Sequence, residues 1–380
     1  MKQKILFIIP TLVGGGAERS LLNLLNVIDV KKYDIELCIV SNRGNLWDEV
    51  PSDIKVTVIF KRPIFGQIFK KLHTKIHFSF IYRLFVRHKI KTVYDIGICF
   101  SDGPCTDLLF FLNDRIKRKI SWVHSCYISY DIVRNRYQGH YRERIINQRC
   151  KRLDDIVFVS ENARKEYVEL LGKYPNMYVI YNIINKEIVI KKSSEALSER
   201  FKKDEINIIA LGNLLPVKGY DKLIKAARIL ADKNYKFKIR ILGAGPLKDK
   251  LTQLINEYNV SDYVILSGFH TNPYPYLKSS DIYVMPSLSE AMPLALIEAM
   301  ILKLPVVTTS CSGCMEITDN GKTAIIAEHS EESIANCLEK LIIDENMRNI
   351  YSQLSYDRSL FFEPQKILDK VENLLENRLN

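Results

Sequence analysis

Short apolar runs recur along the whole chain, and most are followed by a stretch of helical periodicity. In the N-terminal half the runs are KILFIIP, IELCIV, VTVIF, YDIGICF, RKISWV and DIVFVS, with amphipathic segments such as AERSLLNLLNVI and ENARKEYVELLG between several of them. In the C-terminal half they are INIIALG, FKIRILG, YVILSGF, DIYVMPS and LPVVTT. Runs with no apolar/polar alternation are strands buried on both faces, and a parallel sheet wrapped by helices is what buries both. The expected fold is therefore α/β, with two doubly wound domains in tandem. Ligands of such sheets sit beyond the carboxyl ends of the strands, which places the site in a cleft across which the two domains face each other. A length of 380 residues suits two domains. The Lys/Ser/Glu-rich interval NKEIVIKKSSEALSERFKKDE reads as a linker and domain entry, giving an N-terminal domain 1–186 and a C-terminal domain 187–363.

The first run leads into TLVGGGAERS, residues 11–20. Glycines between a strand and a helix let backbone approach a ligand, and a helix N-terminus favours phosphate. The dinucleotide fingerprint G-x-G-x-x-G/A fails because Arg19 takes the third small position, and no Lys-Ser/Thr follows to make a P-loop. Arg19 itself suits either a phosphate or a nearby acid. Ser160 is a candidate cap for ENARKEYVELLG. No apolar run approaches the ~20 residues of a spanning helix. Pro10 and the triple glycine argue that KILFIIP is a buried strand rather than a signal peptide. The eight scattered cysteines suggest reduced thiols and a cytoplasmic location.

Charge is uneven. Residues 1–186 carry a net +13 and the remainder −2. Residues 61–91 hold nine Lys/Arg and no acid, interleaved with Phe65, Phe69, Phe78, Phe80, Tyr82 and Phe85. Such a stretch suits an anionic membrane surface, where each basic residue adds about 1 kcal/mol; the alternative is a solvated basic face with some rings in the core. No nucleic-acid-binding pattern accompanies it.

In the C-terminal half, LGNLLPVKGYDKLI puts Gly212 at a strand end and Lys218 just before a helix, where a compact ammonium suits phosphate. LGAGPLKDKL repeats the device with Gly243 and Gly245. In PSLSEAMPLALIEAM, Glu290 precedes Pro293 and the helix start, and Glu298 lies inside the helix. Two carboxylates flanking free helix N–H groups suit a sugar nucleotide, the acids taking hydroxyls and the N–H groups the diphosphate. The alternative is a dipole-favoured first-turn acid and an exposed helix acid. His124, after an apolar strand with Trp122, suits either a hydrogen-bonded core residue or a place in the cleft.

These stretches, with LSGFHTNPYPYLKSSDIYVMPSLSEAMPLALIEAM and LPVVTTSCSGCMEITDNG, resemble the retaining glycosyltransferases of family 4, which have the two-Rossmann GT-B fold. GGGAER resembles that family's glycine loop, SWVHS its histidine strand and VIYNIIN its domain-crossing segment. The resemblance implies two Rossmann-like domains, with a C-terminal helix, 364–380, crossing back onto the first. It implies transfer of a hexosyl or N-acetylhexosaminyl group from a nucleotide sugar, UDP-linked on family frequency, with retention. The acceptor implied is a lipid-linked, polyprenyl-diphosphate-linked or polysaccharide glycan of the bacterial cell surface. The enzyme would work peripherally on the inner face of the cell membrane. Catalytic roles fall on Glu290, Lys218 and His124. Donor contacts fall on Gly15, Gly16, Gly212, Asn213, Gly245 and Phe269, on Ala291, Met292, Pro293 and Leu294 after Glu290, and on Glu298, which would hold the ribose. Lys218 would neutralise the leaving diphosphate. With no Asp-x-Asp in the chain, neither metal nor cofactor is expected.

Two positions depart from the family. Asn213 stands where an Arg beside the strand-end glycine is frequent, which removes one phosphate-directed charge. Ala291 stands where glycine usually follows the first glutamate, so the loop either keeps φ negative or carries strain of ~1 kcal/mol. Rival readings are a UDP-sugar epimerase or hydrolase on the same fold and a non-catalytic transferase-like partner subunit. Cys311 and Cys314 imitate a redox or zinc pair, but zinc needs four ligands and there is no second pair.

Overall fold

The computed structural model describes residues 2–75, 78–129, 140–197 and 201–379, with side chains 140–143 excepted. Two compact units emerge, Met1–Ile183 with Gln365–Asn380, and Ile184–Pro364.

The first unit is a seven-stranded sheet. Its strands are β1 (Gln3–Ile9), β2 (Tyr33–Ser41), β3 (Lys55–Phe60), β4 (Tyr94–Cys99), β5 (Ile116–Val123), β6 (Asp155–Phe158) and β7 (Met177–Val179), in the order β3-β2-β1-β4-β5-β6-β7. Every pairing is parallel. The order reverses at β1, so the gap between the β2 and β4 sides is the topological switch point where such sheets bind ligands. Ile5, Leu6, Phe7 and Ile8 on β1 are fully buried, as expected of a central strand covered on both faces. Asp155 accepts from Arg118 Nε at 2.6 Å and Asp154 from the Lys119 N–H at 2.7 Å, so this acidic pair is structural.

The second unit has six strands, β8 (Ile206–Leu211), β9 (Phe237–Leu242), β10 (Val264–Gly268), β11 (Ile282–Met285), β12 (Val306–Thr309) and β13 (Ile325–Ala327), in the order β10-β9-β8-β11-β12-β13. Its core joins Ile208, Ile239 and Val284 on the sheet to Leu223, Leu230 and Leu338 on the covering helices. Every pairing is parallel here too.

Strands β7 and β13 are three residues each, too short to show a period in the sequence. The interval read as a linker contains a helix, Lys186–Lys192, whose N-cap Asn185 accepts from the Ile188 N–H. Asn272 donates to the Lys192 carbonyl at 2.9 Å and fixes that helix within the second unit. Its charged face hides the ordering because only Val189 is buried. Ser160 does cap Glu161–Leu171, accepting from the Ala163 N–H.

In the basic 61–91 region, Phe69 stacks on Phe60 at 5.2 Å and Tyr82 is 4% exposed, so these rings belong to the core. Phe65, Phe78, Phe80 and Phe85, with Ile64, Ile68 and Leu84, lie 41–65% exposed along the helices Pro63–Lys75 and Phe80–Lys89 and between them. Arg87 is not a free charge, since it donates to both oxygens of Asp114. No helix among the described residues is long and apolar enough to cross a membrane.

Candidate active site

In the second unit the chain leaves β11 at Met285, runs through a loop to Pro293, and enters the helix Leu294–Ile301. Pro293 is the N-cap, and no side chain caps that helix, which leaves its first N–H groups facing the loop. Glu290 lies in the loop. Lys218 ends a short 3-10 turn, Pro216–Lys218, after β8. Its Nζ donates to Glu290 Oε1 at 2.6 Å, and Ser287 Oγ donates to the same oxygen at 2.8 Å. The two charged side chains are 21% and 13% exposed. Burial, the largest influence on the Lys218 ammonium, lowers its pKa, but the charge and hydrogen bond of Glu290 outweigh it and the net shift is upward. The lysine is therefore a permanent cation.

Backbone holds this pair in register. Leu288 N–H donates to the Val217 carbonyl at 2.7 Å, and Gly313 N–H donates to the Glu290 carbonyl at 3.0 Å. Gly219 adopts left-handed φ +65°, and a β-carbon there would lie 2.1 Å from the Pro286 carbonyl oxygen. Only glycine lets the lysine turn close on the glutamate loop. Gly212, at the end of β8, has the Lys218 side chain alongside it, with Cε 3.3 Å from where a β-carbon would stand.

Glu298 is 6% exposed, so it is not the solvated helix acid that its position on a helix allows. The Tyr274 hydroxyl, from the helix Tyr274–Lys278, donates to Glu298 Oε1 at 3.0 Å and fixes the carboxylate. Ala291, Met292 and Leu294 are buried, and Ala291 is not among the residues of positive φ, so the loop keeps φ negative without strain. Asn213 is exposed at the strand end, Gly245 packs against the Leu214 backbone, and Phe269 is 41% exposed just beyond β10. Cys311 and Cys314 are free, buried thiols; Cys314 Sγ sits 3.6 Å from Met285 Sδ. Among the described residues no cluster of His, Cys, Asp or Glu is arranged to hold a metal ion.

The remaining candidates, Gly15, Gly16 and His124, belong to the first unit. Gly15 is the N-cap of the helix Gly16–Leu25 in extended conformation. The Glu18 carboxylate folds back against it, with Oε2 2.5 Å from the place of a Gly15 β-carbon, while Gly16 faces open space. Thr11 Oγ1 donates to Glu18 Oε1 at 3.3 Å. Burial raises the Glu18 pKa, and the hydrogen bonds from its own N–H, Thr11 and Gly15 offset this in part. Arg19 pairs with Glu49 at 3.5 Å, which settles its alternatives in favour of an acid. His124 follows β5 with its ring 4.8 Å from that of Phe100. Its Nε2 is buried and has no hydrogen-bond partner among the described residues. Burial lowers its pKa to about 4, against a smaller opposing pull from Asp102, so the ring is neutral at pH 7. An unsatisfied buried nitrogen costs about 1–3 kcal/mol unless a ligand supplies the partner.

Tyr274, Ser287 and Glu18 touch the candidate residues Glu298, Glu290 and Gly15, and none of the three stands out in the sequence. Tyr274 in NPYPYLKSSD looks like any buried helix aromatic, and its bond to Glu298 spans 24 residues. Glu18 carries only the spacing of a capping box, an acid three residues after an N-cap glycine.

Two parallel doubly wound sheets, with a lysine–glutamate pair beyond the strand ends of one and a second glutamate buried in the helix that follows, are the architecture of the GT-B glycosyltransferases. Comparison with known proteins agrees. The profile described as Glycosyl transferases group 1 matches residues 192–358, and that described as Glycosyltransferase Family 4 matches residues 14–188. The chain belongs to the family 4 glycosyltransferases. An uncharacterized glycosyltransferase of Methanocaldococcus jannaschii is 30% identical over 59% of this chain and 64% of its own. The Campylobacter jejuni N-acetylgalactosamine-N,N'-diacetylbacillosaminyl-diphospho-undecaprenol 4-alpha-N-acetylgalactosaminyltransferase is 25% identical over 98% of this chain and 100% of its own. Anabaena HepE, solved with UDP and glucose, shares the fold at TM-score 0.77 and 17% identity, covering 99% of this chain and all of its own.

Proposed function

We propose that the protein transfers a hexosyl or N-acetylhexosaminyl group from a UDP-sugar, with retention, to a lipid-linked or polysaccharide acceptor in cell-surface glycan synthesis. The observation that carries this reading is the Lys218–Glu290 pair at 2.6 Å beside the buried, Tyr274-held Glu298. Glycosyl transfer develops positive charge on the sugar and negative charge on the departing diphosphate. A fixed ammonium and uncapped helix N–H groups stabilise the second, and being preorganised they need no rearrangement as it forms. Glu290 receives sugar hydroxyls and Glu298 the ribose. The names of the Campylobacter and HepE relatives point to a diphospho-polyprenol acceptor and a UDP donor. The Lys218 ammonium and the helix N–H groups take the place of a metal, so turnover is expected to survive EDTA.

The test is a thermal-shift panel of nucleotide sugars, because a ligand bound only by the folded state raises its midpoint. A UDP-sugar is expected to raise it; failure of every nucleotide sugar would favour a non-catalytic partner subunit. The exposed Phe65, Phe80 and Phe85, beside Lys71, Arg83 and Lys89 that have no ion pair among the described residues, support peripheral attachment to the inner membrane face. Neutralising Lys71, Arg83 and Lys89 together to Gln is expected to weaken sedimentation with phosphatidylglycerol liposomes, and unchanged sedimentation overturns this attachment.

A further inference from the structure

Glu298 is the more enclosed of the two candidate carboxylates, and the groups around it bear on which donors the site accepts. It lies inside the helix Leu294–Ile301, where its neighbours Ile297 and Ala299 are fully buried. A carboxylate in that position has lost most of its water and depends on the groups built around it. One of these is the Tyr274 hydroxyl, which donates to Glu298 Oε1 at 3.0 Å and belongs to a residue itself 9% exposed.

Tyr274 is held as firmly as the acid it meets. It lies between Pro273 and Pro275, whose rings fix their own φ angles. Pro275, Tyr276 and Leu277 of the same short helix are buried with it. Its N–H donates to Asn272 Oδ1 at 3.2 Å. The Asn272 amide donates in turn to the Lys192 carbonyl at 2.9 Å and to Glu195 Oε2 at 2.8 Å. Through Asn272 the phenol is anchored to the helix Lys186–Lys192 and the residues just after it, and it offers its donor to one carboxylate oxygen from a fixed place.

A carboxylate able to turn meets a substrate hydroxyl or, where that hydroxyl is missing, another donor. A buried carboxylate pinned by a phenol has no such choice. Opposite a carbon that lacks its hydroxyl it loses a partner, and that loss is how a hydrogen-bonding site rejects the deoxy analogue of its substrate. We propose that Tyr274 is the positioning residue that makes Glu298 select ribonucleotide donors and exclude 2′-deoxyribonucleoside diphosphate sugars. The proposal rests on the reading in which Glu298 takes the ribose. It adds the nucleotide class of the donor and the residue that enforces it. The phenol acts through the carboxylate and not on the nucleotide.

The test is calorimetric titration of the full chain with UDP and with 2′-deoxy-UDP, for wild type, Tyr274→Phe and Glu298→Gln. Wild type is expected to bind UDP at least about tenfold more tightly than 2′-deoxy-UDP, the scale of one hydrogen bond to a charged group. Tyr274→Phe keeps the ring and its packing, so its far-UV circular dichroism is expected to be native. Its preference is expected to fall below about threefold through weaker UDP binding, with 2′-deoxy-UDP bound as by wild type. A merely structural role would weaken both nucleotides alike. An unchanged preference in Tyr274→Phe, when Glu298→Gln has lost it, therefore overturns the role of Tyr274 alone. A wild type without preference, or a Glu298→Gln variant that keeps it, overturns the ribose role of Glu298. A wild type that binds neither nucleotide overturns the transferase reading instead.

Discussion

Lys218 is the residue on which the proposed chemistry turns, because it is the cation held against Glu290 while Asn213, beside the strand-end Gly212, carries no charge. Its ammonium is held 2.6 Å from Glu290, and a departing diphosphate competes for it at the moment charge develops. Lys218→Ala is expected to lower kcat by about 10²–10³-fold, the scale of losing one preorganised transition-state donor. Far-UV circular dichroism should be native, since both side chains retain contact with solvent. Retention of more than a third of wild-type kcat would refute the assignment. Glu290, Glu298 and Lys218 were visible as candidates in the sequence, the two acids on one loop and its helix and the lysine just after a strand-end glycine, while the roles given to them came from the resemblance to family 4. What holds them was not: Ser287 lies three residues from Glu290 in a loop without period, and Tyr274 reaches Glu298 from another helix. His124 stayed ambiguous because a core histidine and a site histidine have the same sequence context. In the structure its Nε2 is buried and has no hydrogen-bond partner among the described residues.

At the scale of elements, the second unit's site is made by two turns closing on one another, the 3-10 turn at Lys218 and the loop after β11. The contact is Gly219 against the Pro286 carbonyl. Gly219→Ala forces a β-carbon into that oxygen and an alanine into left-handed φ, at a cost of about 2–3 kcal/mol. A urea titration should show that loss, with UDP binding weakened because Lys218 and Glu290 no longer meet; wild-type stability would show that the turns can separate without consequence. Strands longer than three residues were legible from their unbroken apolar runs. β7 and β13 were not, because three residues display no period, nor was the helix Lys186–Lys192, whose composition is that of a linker. The basic helix pair was half legible: composition showed charge and rings together, but only packing shows that Phe69 and Tyr82 turn inward while Phe65 and Phe80 do not.

At the scale of the molecule, the chain's last helix, Pro364–Leu375, belongs to the unit that the N-terminus begins. Ile367, Leu368, Val371, Leu374 and Leu375 are at most 9% exposed. Arg118 donates to the Leu374 carbonyl at 2.7 Å, and Gln3 to that of Leu375 at 3.1 Å, which ties the helix to β5 and β1. Lys32 pairs with Glu372 at 2.8 Å, but an exposed pair of this kind adds little. Burying an aliphatic side chain is worth about 1.5–3 kcal/mol, and five of them approach the whole stability of a domain, about 5–15 kcal/mol. Removal of residues 364–380 is therefore expected to unfold the first unit selectively. Both tryptophans, Trp47 and Trp122, lie in that unit, so tryptophan emission reports on it alone. The truncated chain should show red-shifted emission at a temperature where much of the far-UV signal of the six-stranded unit persists. Native emission with an unchanged melting temperature would mean that the helix rests on the first unit without stabilising it, since the area buried would then be matched by contacts the truncated surface recovers on its own.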